Sequence, residues 1–210
     1  MGVWATSNTR EALWDAMERR ETFATTGPRM SVRFFGGYDF RAADLGQLVK
    51  AGYTRGVPMG ADLKPAPAGK APTFLVAAMK DPEGANLDRV QIVKGWLDAD
   101  GKTHEQVFDV KWSGDRKPGA NGKLPPVGST VDVKTATYTN SIGAAELVGI
   151  WTDPAFDPKQ RAVYYVRVLE IPTPRWTAYD QVKYKVTAPK AATLVHQERA
   201  FTSPIWYAPA

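Results

Sequence analysis

The sequence contains no cysteine in 210 residues. Disulfides, thiolate zinc sites and cysteine nucleophiles are therefore excluded, while the compartment stays open. Histidine is almost as scarce. His104 and His196 are the only two, and neither has a His, Asp or Glu three or four residues further on to complete a helical metal pair. No complete metal site is expected from this chain alone. No apolar run approaches the roughly 18 residues of a membrane span, and no basic–apolar–small pattern marks a secretory leader at the N-terminus. Phosphate-binding glycine loops, dinucleotide fingerprints and Gly-x-Ser-x-Gly elbows are all missing. Asp98-Ala99-Asp100-Gly101 places its glycine fourth, where a calcium loop needs it sixth, and reads as a hairpin turn.

What is present is a chain able to build a core. Apolar residues make up 43%, and seven Trp, eight Tyr and eight Phe supply large side chains. The net charge is +5 and the pI near 9.3, but the basic residues are scattered. The one basic doublet near a helix, Arg19-Arg20, is flanked by Glu18 and Glu21. Neither a nucleic-acid partner nor a membrane partner is expected.

Residues 8–20 form the strongest helix pattern, with Asn8 and Glu11 spaced as a capping box and Ala12, Leu13, Ala16 and Met17 on one face, widened by Trp14. Beyond residue 29 the reading is almost wholly β. Alternation predicts strands over 30–35, 89–96 and 106–112, a short apolar run marks another over 73–79, and turn-bounded segments over 130–138, 146–151, 162–169 and 205–207 read as further strands, with a short helix over 41–49, a long loop over 52–72 and a Pro- and Gly-rich loop over 113–128. A lone helix heading a β chain reads as the tail of a larger α/β domain. The fold class expected is mainly β, an antiparallel β-sandwich preceded by a helix and strand.

Two segments have the residue types of a binding site. Thr25, Thr26 and Arg29 gather two hydroxyls and a guanidinium around the Gly27-Pro28 turn, and arginine binds phosphate or carboxylate through two hydrogen bonds. Arg175 and Trp176 follow Pro172 and Pro174, and an aromatic beside an arginine suits a sugar ring or a neighbouring domain. The bland readings are a surface turn and an inter-domain contact.

Taken together, Gly2–Ala5, Asn8–Ala12, Arg20–Arg29, Phe34–Gly37, Gly56–Gly60, Leu87–Trp96, Tyr164–Trp176 and Gln197–Tyr207 resemble the C-terminal third of a bacterial family of unknown function, DUF3604. That family resembles the polymerase-and-histidinol-phosphatase (PHP) group of metal-dependent hydrolases, whose fold is a distorted β/α barrel. The resemblance implies that residues 1–30 are the last helix and strand of such a barrel and residues 31–210 a β-sandwich-like domain. It implies a parent that is a metal-dependent hydrolase, of the phosphoesterase kind, using divalent ions held upstream. This chain would hold no cofactor itself and be inactive alone, with Thr25, Thr26 and Arg29 nearest substrate and the parent's barrel as its partner. The isolated chain would then tend to self-associate through its helix. The alternative is a non-catalytic module that binds carbohydrate or a neighbouring protein domain through Arg175 and Trp176.

Overall fold

The computed structural model describes residues 1–120 and 122–209. The chain is mainly β, with 15% helix and 37% strand. In chain order its elements are β1 (Gly2–Val3), α1 (Arg10–Glu18), β2 (Thr22–Thr25), β3 (Ser31–Gly37), a 3-10 turn (Ala42–Gln47), α2 (Leu48–Arg55), β4 (Gly56–Pro58), β5 (Asp62–Leu63), β6 (Thr73–Met79), β7 (Leu87–Leu97), β8 (Thr103–Trp112), β9 (Glu146–Thr152), β10 (Ala162–Glu170), β11 (Thr173–Pro174), α3 (Trp176–Tyr184), β12 (Val195–His196), β13 (Arg199–Thr202) and β14 (Ile205–Tyr207).

Two sheets dominate. In the larger, β10 is central. It pairs with β7 along one side and with β13 and then β14 along the other; β7 continues to β8, and β13 to β2 and β1. The smaller sheet runs β4-β3-β6-β9. Pairing is antiparallel except between β14 and β5, and neither sheet closes into a barrel. Both sheets feed one apolar cluster. Phe34, Phe74 and Val76 of the smaller sheet meet Ile92, Tyr164, Val166 and Val168 of the larger. The opposite face of the smaller sheet carries Phe35 and Leu75 against Leu48 and Ala51 of α2. β6 is thus covered on both faces, which explains its unbroken apolar run TFLVAAM. Gly52 belongs to this contact. A Cβ there would lie 2.4 Å from the Phe35 ring, so only glycine lets α2 come this close.

A polar knot lies inside the apolar cluster. The Lys94 Nζ on β7 sits 2.6 Å from the Asp153 carboxylate, with both side chains buried. It also donates to the Ala155 carbonyl at 2.7 Å, and the Tyr164 hydroxyl donates to Asp153 at 2.7 Å. Burial, followed by the Asp153 charge and hydrogen bond, raises the Tyr164 pKa far above the ordinary phenol value.

Several expectations are corrected. α1 is capped by Thr9, whose hydroxyl accepts from the Ala12 N–H at 3.3 Å, and not by Asn8. Its buried residues are Ala12 and Ala16, while Trp14 is 64% exposed. Residues 52–72 are not one loop, since α2 runs to Arg55 and β4 and β5 follow. Residues 130–138 form no strand. Their hydroxyls bond locally, Thr130 to the Thr139 carbonyl at 2.7 Å and Thr135 to Thr137 at 2.7 Å, and such bonds compete with a ladder. α3 was not anticipated, because a single buried residue, Ala178, gives it almost no periodicity. Among the described residues no helix is long and apolar enough to cross a membrane.

Candidate functional site

Two of the residues singled out in the sequence converge, although most of the chain separates them. β2 pairs with β13, placing Thr25 opposite Ala200. The ladder continues one residue further, where the Thr26 N–H donates to the Arg199 carbonyl at 3.0 Å and the Thr26 hydroxyl accepts from the Arg199 N–H at 2.9 Å. That hydroxyl also bonds the Glu198 carboxylate. β11 pairs with β12, setting Thr173 opposite His196, and the Arg175 N–H extends this pairing to the Leu194 carbonyl at 2.8 Å. Pro172 and Pro174 keep the approach extended, so that Arg175 becomes the first flanking residue of α3 and Trp176 its first turn. Thr26, Arg175, His196, Gln197, Glu198 and Arg199 then line one cleft of about 280 Å³. His196 Nε2 lies 3.0 Å from Glu198 Oε1.

A second cleft, of about 340 Å³, adjoins the first and shares Gln197 and Arg199 with it. Its carboxylate, Asp88, is already engaged by Arg89 at 3.0 Å and Arg116 at 2.7 Å. Its remaining guanidinium, Arg167, donates to Gln91 at 2.8 Å. Among the described residues Arg167, Arg175 and Arg199 have no carboxylate within ion-pair distance. The two clefts therefore present three uncompensated guanidinium groups, a surface suited to oxyanions.

Behind the first cleft lies a buried carboxyl. Glu170 is 1% exposed, and its Oε1 has no hydrogen-bond partner. Its main chain is tied to the cleft, with its N–H on the Glu198 carbonyl at 3.0 Å and its carbonyl accepting from Gln197 at 2.8 Å. Burial first, and then the charges of Glu198 and Asp81, push its pKa up to about 8, with Lys80 opposing. Lys80 directs its hydrogen bonds to the Asp81, Pro82 and Gly84 carbonyls, which is why it leaves Glu170 without a direct partner.

The other sequence candidates fall elsewhere. Thr25 is half-buried in the β2–β13 ladder. Arg29 does not line either cleft. Its guanidinium faces Asp81 at 3.6 Å and Glu83 at 3.4 Å, and its N–H donates to Asp81 at 2.6 Å. That N–H is the largest cause holding Asp81 below the ordinary carboxylate range. Trp176 is 62% exposed, with the Arg175 guanidinium 5.7 Å from its ring centre. Sequence reasoning missed His196, Glu198, Arg199 and Arg167. Only the strand pairings bring them together, and no local spacing signals them.

A family model described as "Protein of unknown function (DUF3604)" matches residues 1–209. No curated protein and no solved structure matches the chain.

Proposed function

The chain belongs to the DUF3604 family, and from that premise we propose that it is the C-terminal part of a metal-dependent hydrolase acting on an anionic ester, of which a phosphate ester is the simplest case. In this reading residues 31–210 form a sandwich-like appendage and residues 1–30 continue a PHP-like barrel. The shared core of the two sheets supports the sandwich-like part and the exposed apolar side chains of α1 a neighbour beyond it, while β1 and β2 are built into the larger sheet, with Trp4 and Phe23 on the same core. Among the described residues no group of three or more His, Cys, Asp or Glu could hold a metal ion. The described residues do not fit a catalytic metal.

The observation that carries the proposal is the set of uncompensated guanidinium groups, Arg167, Arg175 and Arg199, along the two adjoining clefts. Their task is to bind and orient negatively charged oxygens, with Thr26 and Glu198 fixing the backbone around Arg199. In the full-length protein loaded with manganese, Arg199→Ala should lower hydrolysis of p-nitrophenyl phosphate at least about tenfold, roughly 1.4 kcal/mol of transition-state stabilisation, with an unchanged melting temperature. Unchanged kinetics would remove the clefts from the substrate path.

The second reading, a non-catalytic module binding a glycan or a neighbouring domain, is favoured by Trp176, whose exposed ring lies beside Arg175. Trp176→Ala separates the two readings, since it should leave phosphate-ester hydrolysis intact and abolish only glycan or domain binding.

A further inference from the structure

A cleft of about 510 Å³ lies away from the arginine clefts. It sits where the β7–β8 hairpin, the start of β10, and β14 with β5 come together. Its construction follows from register. Gly95 of β7 is opposite Val163 of β10, Val163 is opposite Trp206 of β14, and Trp206 is opposite Asp62 of β5. Residues directly opposite one another share a face of a sheet, so these four form one row across four strands. The row has no side chain at Gly95, a short one at Val163 and a large aromatic at Trp206. Neighbouring strands lie about 4.8 Å apart, so the depression over Gly95 and Val163 is about one six-membered ring wide, with an indole as its wall.

The groups around this depression are amphipathic. Leu97 continues the apolar surface and is 38% exposed. Trp206 is 47% exposed, and its indole N–H bonds no other described residue. Arg161 lines the cleft, is exposed, and has no ion pair among the described residues. Asp62 lies at the end of the row; its carboxylate is 73% exposed and reaches only Arg20, at 4.0 Å. The cleft thus offers an aromatic face, a glycine floor, and one donor and one acceptor of opposite charge at the rim. A lipid chain would leave Asp62 and Arg161 unused. A simple anion would meet Asp62. A pyranose ring fits both halves, because its C–H face is apolar and its hydroxyls both donate and accept.

We propose that this cleft binds a pyranose ring of an oligosaccharide, stacked on Trp206 over Gly95 and Val163, with its hydroxyls reaching Asp62 and Arg161. This site is independent of the arginine clefts and of Trp176.

The test is calorimetry and tryptophan fluorescence on the 210-residue chain with cellotriose, xylotriose, maltotriose and chitotriose as probes. At least one should bind with a dissociation constant below about 1 mM and perturb the tryptophan emission. Trp206→Ala should weaken it at least about tenfold, Leu97→Ser and Arg161→Ala should weaken it less, and Tyr184→Ala, at an exposed aromatic on α3, should leave it unchanged. All four variants alter exposed side chains, and a normal thermal transition verifies that each is folded. Failure of all four sugars to bind would overturn the assignment. So would binding that survives Trp206→Ala, or binding lost instead in Trp176→Ala. A wild-type dimer dissociated by Trp206→Ala would overturn it too, since the cleft would then be covered by a second copy of the chain.

Discussion

Lys94 and Asp153 form an ion pair 2.6 Å long with both side chains buried. The pair ties β7 to the β9–β10 connection, and Tyr164 of the central strand adds a third tie. Replacing both partners by apolar groups is often tolerated, whereas removing one strands a buried charge. Asp153→Ala should therefore destabilise the protein by about 3–5 kcal/mol, measured by urea denaturation. Tyr164→Phe should cost only about 1–2 kcal/mol. The double variant Lys94→Met with Asp153→Leu should recover most of the loss seen in Asp153→Ala. A double variant no better than the single one would mean that packing, and not the stranded ammonium, sets the cost.

Glu170 makes stability depend on pH. Its folded pKa of about 8 stands above the ordinary value of 4.5, so between these values the folded chain holds a proton that the unfolded chain releases. This contribution is fully present below pH 4.5 and is lost as pH rises through about 8. Thermal melts from pH 5 to 9 should show the melting temperature falling toward alkaline pH. Glu170→Gln, which keeps the amide neutral at every pH, should flatten that fall and raise stability at pH 9. An identical pH profile in wild type and variant would show that Glu170 is not the responsible group.

The α1 surface predicts association. Trp14 and Met17 are 64% and 39% exposed on a helix whose buried residues are only Ala12 and Ala16, and exposed apolar patches mark contact surfaces. Sedimentation of the 210-residue chain should show concentration-dependent self-association, reduced by Trp14→Gln with Met17→Gln. A monomer at all concentrations would argue against α1 as a contact face.

Period-2 alternation made most of the large sheet legible. β10 reads AVYYVRVLE and alternates buried with half-buried along its whole length, and the Asp98–Gly101 turn is bonded as a hairpin requires, Asp100 and Lys102 N–H groups both reaching Asp98. α3 was hidden because Trp176, Thr177, Tyr179 and Val182 are strand-forming residue types and only Ala178 is buried. Thr26 and Arg175 stood out through their chemistry. Their partners did not, because His196, Glu198 and Arg199 reach the cleft only through ladders closed across most of the sequence. Glu170 looked like the end of a strand. Nothing local distinguishes a carboxyl that will be buried from one that will be solvated.

The pairing of β2 with β13 has a kinetic consequence. Thr25 finds Ala200 only after nearly the whole chain exists. Synthesis at roughly 5–20 residues per second leaves the β13-facing edge of β2 unpaired for about ten to thirty seconds. The smaller sheet, built from β3, β4, β6 and β9, can be completed before β10 is made. The larger one waits for the last strands. High contact order slows folding, and exposed edges with unbonded amides invite intermolecular pairing. The segment that shapes the Thr26–Arg199 cleft is thus made well before its partner strand and secured only after it, and refolding yield should depend on how well that edge is shielded in the interval.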